Sequence, residues 1–133
     1  MCVLLFAFNL GYEIYLEQYF AAAKIALTLL IGFIFVSGAR EIINAPRPYE
    51  LYSFYDTKPK ERSGRSFPSR HAYSAFAIAT AAFSVHTALA ASFLFLALIM
   101  CAARVLTGIH FIRDVLCGAL LGIASGALAL LLV

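Results

Sequence analysis

The stretch HAYSAFAIATAAFSVHTALAASFLFLALIMCAARVLTGIHFIRDVLCGALLGIASGALALLLV, residues 71–133, decides the fold. Of the 62 residues after His71, only Arg104, Arg113 and Asp114 carry a charge. A helix crosses a bilayer with about 20 mostly apolar residues. The stretch divides into three such segments: a short one at 71–86, a second at 87–103 and a third at 111–133. Working backwards, Phe20–Ala39 makes another, with Lys24 as its one charge. Residues 1–16 read as a partial helix, and Glu13, Glu17 and Gln18 mark the turn after it. The expectation is an all-α, multi-pass transmembrane bundle of four full spans plus a partial N-terminal helix. One membrane-embedded domain is expected to fill residues 1–133.

Composition agrees. The chain is 63% hydrophobic and 13% charged, against about 45–50% and about 25% in soluble domains. A domain this small keeps much of its surface exposed, so the excess cannot be hidden from water. The net charge is +3 and no basic run is flanked by aromatics, which speaks against nucleic acid. Cys2, Cys101 and Cys117 are odd in number and lack metal-ligand spacing; the last two lie in apolar runs, as small hydrophobes do. The start has neither the charged region nor the cleavage site of a secretory signal. His86 and the tyrosines at 12, 15, 19, 49, 52 and 55 read as interfacial.

One long polar segment, Arg40–Arg70, interrupts the pattern with all four prolines and seven of the ten basic residues. Loops of this length are usually functional or disordered. Alternating the helices across the membrane puts Arg40 at the end of one span and His71 at the start of the next. Arg104 then falls at the end of the third, and His110 and Asp114 at the start of the fourth. All five share one membrane face, by helix counting alone.

His110 and Asp114 are four residues apart and so share a helix face. A carboxylate beside an imidazole fixes its tautomer and frees the other nitrogen as nucleophile or base. An ordinary polar pair at a helix start would look the same, since Asp suits the dipole there. Arg40, Arg47 and Arg104 stay charged at any ordinary pH, and their forks match phosphate oxygens. Lys58, Lys60, Arg62 and Arg65 are explained equally well by the clustering of cations on cytoplasmic loops. In Pro68-Ser69-Arg70-His71, Ser69 suits an N-cap, free amides at a helix start bind anions, and His71 is placed to give a proton to a leaving oxygen. A plain helix cap followed by a boundary histidine is the competing reading.

Three separated motifs together resemble the type 2 phosphatidic acid phosphatase superfamily, which shares its site with vanadium haloperoxidases. Arg40, six residues, then Arg47-Pro48 stands where the family has Lys, six residues, Arg-Pro. Pro68-Ser69-Arg70-His71 stands for Pro-Ser-Gly-His. Ala103-Arg104, five residues, His110, three residues and Asp114 stand for Ser-Arg, five residues, His, three residues, Asp. The resemblance implies a helical bundle with its site at one membrane surface. It implies attack on phosphorus by His110, orientation by Asp114 and protonation of the leaving group by His71. Arg40, Arg47, Ser69, Arg70 and Arg104 would hold the phosphate, with no metal and no cofactor. Three positions depart: Arg40 for Lys, Arg70 for Gly, which withdraws a backbone tolerant of left-handed angles, and Ala103 for Ser. Family members often have six spans, so helices ahead of the first motif are expected to be missing.

The expected function is hydrolysis of a lipid phosphate through a phosphohistidine. The substrate is left open among phosphatidic acid, phosphatidylglycerol phosphate, a polyprenyl diphosphate and a lipid A phosphate. The expected partners are that lipid and the bilayer, with the site on the extracytoplasmic side and the oligomeric state open. A lipid-linked phosphotransferase and a non-catalytic anion- or phospholipid-binding subunit are the rival readings.

Overall fold

The computed structural model describes residues 2–15, 19–52 and 63–133. The helices are α1 (Cys2–Tyr15), α2 (Tyr19–Ile43), the single turn α3 (Pro48–Leu51), α4 (Arg70–Ala81), α5 (Thr87–Leu106) and α6 (Ile112–Leu132); a 3₁₀ turn at Ala82–Ser84 follows α4. Among the described residues there is no strand. Glu17, Gln18, Tyr55, Lys58, Pro59, Lys60 and Arg62 lie outside the described residues.

Among the described residues three helices, α2, α5 and α6, are long and apolar enough to cross a membrane. Their outward faces carry bare apolar side chains such as Ile31, Phe35, Phe95, Leu98, Leu120 and Leu131, as lipid-facing helices do. The span expected at 71–86 differs. Its α-helix has only 12 residues, which at 1.5 Å each gives about 18 Å against an apolar core of about 30 Å. The reason is its position. Ala72, Tyr73, Ala75, Phe76, Ala77, Ile78, Ala79 and Ala81 are all buried, so α4 is the inner post of the bundle rather than a lipid-facing wall.

What lets α4 sit there is small residues. Gly118, Gly122 and Gly126 fall four apart on α6 and face it. A Cβ at Gly122 would collide with the Tyr73 carbonyl and stand 3.0 Å from the Ala77 nitrogen. Such close backbone approach is how membrane helices gain contact where lipid is as apolar as their own side chains.

Each helix end at the polar head is fixed locally. Ser69 Oγ accepts from the Ala72 amide at 3.4 Å and caps α4. Asp114 Oδ2 accepts from the Phe111 amide at 3.0 Å at the start of α6. Gly108, with φ of 67°, turns the chain off α5, and the amides of Ile109 and His110 both donate to the Arg104 carbonyl at 3.2 Å. At the opposite face Lys24 Nζ donates to the Leu132 carbonyl at 2.9 Å, and His86 Nδ1 caps α5 by accepting from the Ala88 amide at 3.2 Å. The helix alternation expected from the sequence therefore holds, with His86 far from the polar head.

Candidate active site

Main-chain bonds tie the three motif segments together at the head of the bundle. The Ser66 amide donates to the Ala45 carbonyl at 2.8 Å, Tyr49 to Gly108 at 3.2 Å, and Ser69 to Asp114 at 2.9 Å. Residues far apart in sequence thus share one small volume whatever their side chains.

His110 is 2% exposed and Asp114 is fully enclosed. The imidazole turns Nδ1 toward Asp114 Oδ2, 3.7 Å away. Between them lies a residue that sequence reasoning passes over. Ser66, also fully enclosed, donates its hydroxyl to Asp114 Oδ2 in a short bond, and its Oγ stands 3.4 Å from His110 Nδ1. Nothing in motif spacing marks it; the only signal is a hydroxyl residue just upstream of Pro68. Asp114 Oδ1 accepts no hydrogen bond among the described residues and lies 3.5 Å from Arg113 Nε. With Nδ1 turned to Asp114 and Ser66, Nε2 is the ring nitrogen left to meet a substrate. Burial, and then the charges of Arg47 and Arg40, hold the His110 imidazole below its ordinary pKa, although Asp114 pulls the other way.

Arg40 is 5% exposed and donates through Nη1 to the Pro68 carbonyl at 2.9 Å, which pins the second motif against the end of α2. Arg47 donates Nε to the Gly64 carbonyl at 3.0 Å and Nη1 to Ile109 at 3.5 Å, bridging the loop before α4 to the turn before His110. Glu50 Oε1 accepts from the Gly64 amide at 2.6 Å, and Arg65 pairs with Glu41 at 3.0 Å. Arg65 thus has a loop-fastening contact that charge clustering alone does not explain.

His71 opens α4 on the accessible side. Arg104, His110, Arg70 and Arg40 are all close enough for their charges to act on it. Desolvation at the bundle head and then those charges bring its pKa down to about 4. Arg70 is the first residue of α4 and has no left-handed angle, so replacing the family's glycine there strains nothing in the backbone. Its guanidinium lies 6.0 Å from the centre of the Phe33 ring. Ala103, where the family has serine, sits exposed on α5 and contributes its carbonyl to the Thr107 amide at 3.0 Å. All eight expected site residues therefore gather at one head.

None of the curated proteins compared matches the chain. Among solved structures, Aquifex aeolicus LpxE superposes with a TM-score of 0.72 at 26% identity, covering 97% of this chain and 82% of that one. The PAP2 superfamily profile matches residues 21–133, which include all three motifs and every residue gathered at the head. A match of that extent, over a site built from those motifs, makes this chain a member of the PAP2 superfamily.

Proposed function

We propose that the chain is an integral membrane phosphatase that removes phosphate from a lipid monoester or diphosphate through a phosphohistidine on His110. The observation that carries this is the pose of His110. Nδ1 faces the Asp114–Ser66 pair, which leaves Nε2 as the nitrogen to attack, and the charges of Arg47 and Arg40 act on the ring. Buried and held below its ordinary pKa, the imidazole is neutral near pH 7, as a nucleophile must be.

In the first step the Nε2 lone pair forms a bond to phosphorus as the P–O bond to the lipid breaks. The leaving oxygen takes a proton from His71. The positive charge on the His110 ring is met by Asp114 Oδ2. In the second step water attacks phosphorus, gives a proton back to His71, and the N–P electron pair returns to His110. Arg40, Arg47, Arg70, Arg104 and the amides at the start of α4 would hold the phosphoryl oxygens, the role metal ions play in other phosphatases. The arginines that oppose a proton on His71 in the empty site are offset by a phosphate dianion, so the substrate itself brings His71 toward its acid form.

A lipid is favoured over a soluble ester because the head sits at the end of apolar spans. We place it on the extracytoplasmic side, and in intact cells a membrane-impermeant thiol reagent should reach a cysteine put at exposed Arg65. The main test is phosphate release by the purified protein in detergent, with EDTA present. Release across a panel of phosphatidic, phosphatidylglycerol, polyprenyl and lipid A phosphates, lost at least about 10³-fold in His110→Ala, supports the proposal. Release that persists in that variant overturns the mechanism. Transfer to an added alcohol without release to water points to the phosphotransferase.

A further inference from the structure

Two cavities open at the head, and each touches one of the two site histidines but not the other. One, of about 300 Å³, is lined by Phe33, Arg70, His71 and Ser74. The other, of about 430 Å³, is lined by His110 with Pro48, Tyr52, Phe111 and neighbours. Each runs on into an apolar groove. Phe33 and Ser74 are shared with a groove of about 350 Å³ between α1, α2 and α4, whose walls include Phe6, Ala26, Leu30 and Ile78. Val105 and Ile112 are shared with a groove of about 420 Å³ between α5 and α6, where Ala102 and Leu116 stand. Shape alone does not choose between them, since both are apolar and similar in size.

Chemistry does choose. In phosphoryl transfer the attacking and leaving atoms lie roughly in line on opposite sides of phosphorus. With His110 attacking, the leaving oxygen and the lipid attached to it stand on the His71 side. From this we infer that the α1/α2/α4 groove holds the hydrocarbon chain of the lipid phosphate, and that the α5/α6 groove does not. The inference rests on the phosphatase reading above. The edge of the groove suits a chain that arrives from the bilayer. Leu27 and Leu30 there are 59% and 53% exposed, so the groove opens sideways and a chain can enter without leaving lipid. Its floor is fixed by Tyr73, which is buried and donates its hydroxyl to the Leu29 carbonyl at 3.0 Å. Lipid tails are as apolar as these side chains, so the groove adds little affinity over the bilayer. What it supplies is direction, holding the ester oxygen beside His71.

The test uses the whole chain in phospholipid nanodiscs, with hexadecyl phosphate and butyl phosphate as probes that differ only in tail length. Ala26→Trp, which fills the α1/α2/α4 groove, should lower kcat/KM for the long ester at least tenfold relative to the short one. Ala102→Trp, in the α5/α6 groove, should leave that ratio unchanged. The opposite pattern, or no change in either variant, overturns the inference. As a second measurement, hexadecyl phosphate carrying a diazirine at its tail end is photolysed with the unmodified protein. Adducts on α2 and α4 that excess unlabelled hexadecyl phosphate removes support the groove. Adducts on α5 and α6, or spread over every outward face, refute it. If neither ester is hydrolysed the phosphatase reading fails, and the adduct map still decides where the chain lies.

Discussion

Gly118 and Gly126 lie on the same face of α6, eight residues and so about 12 Å apart. The same substitution at the two should separate catalysis from stability. A Cβ at Gly118 would run into the Ser69 carbonyl and stand 3.1 Å from Ala72 Cβ; one at Gly126 would meet Thr80 Cβ at 2.6 Å and the Ala77 carbonyl at 2.8 Å. Overpacking of this kind costs about 1–3 kcal/mol, and the gain from alanine in a helix returns about 0.5–1 kcal/mol. At the middle of both ranges each variant should therefore lose about 1 kcal/mol, roughly 3–6 °C in Tm at this chain length. Gly38→Ala, where a Cβ meets nothing within 4 Å, is the control and should melt slightly higher. Activity should split the pair. Ser69 caps α4, and its amide holds the Asp114 carbonyl at 2.9 Å, so pushing it away shifts both motifs. A displacement near 1 Å at a site costs about 10²-fold, which Gly118→Ala should show in kcat/KM beyond the loss in Gly126→Ala. Thermal unfolding and phosphate release in the same detergent measure both. Equal activity losses, or a Gly118→Ala protein that melts like Gly38→Ala, would refute the reasoning.

Other outcomes follow from the head of the bundle. Ser66→Ala removes the hydroxyl on Asp114 Oδ2. A hydrogen bond to a charged group contributes about 1.5–3 kcal/mol, so kcat should fall about 10- to 100-fold, and an unchanged kcat would remove Ser66 from the positioning of His110. Because burial lowers the His110 pKa, the acid limb of the kcat/KM profile should lie below the ordinary histidine value of about 6.5. The sign for stability is the same. The unfolded chain takes up its proton first, so the His110 contribution is complete above about pH 6.5 and is lost as pH falls toward the folded value. Arg47→Gln removes one of the charges that lower that pKa and should move the acid limb to higher pH; movement the other way would contradict the electrostatics. Treatment with EDTA should leave phosphate release intact, and loss restored by added divalent ions would show that the arginines do not suffice.

How much of the fold and the site is legible in the sequence depends on whether the determinant is local. The end position of Arg40 and the capping role of Ser69 are short-range, and helix geometry carries them directly. The pairing of His110 with Asp114 is local too but is not made on a shared helix face: α6 begins at Ile112, so His110 precedes its N-cap, Phe111, and is brought to Asp114 by the bend after α5. Ser66 escapes such reading because its partner lies 48 residues away, across a turn that only the folded chain closes. The short α4 escapes it for a related reason. Hydropathy counts apolar residues but cannot tell those facing lipid from those facing Gly118, Gly122 and Gly126. The departure at Arg70 matters less than the family's glycine suggests. The position is an ordinary first helical residue, so that glycine's freedom is not used here.

The three main-chain bonds that join the motif segments have a consequence for how such proteins diverge. Amides and carbonyls are supplied by every residue type except that proline lacks the amide, so the head is laced by parts that most substitutions leave untouched. Side chains around the head can be exchanged while the lacing stays whole. A lineage can thus try new side chains at the head, as at Arg40, Arg70 and Ala103, before it loses the ability to fold.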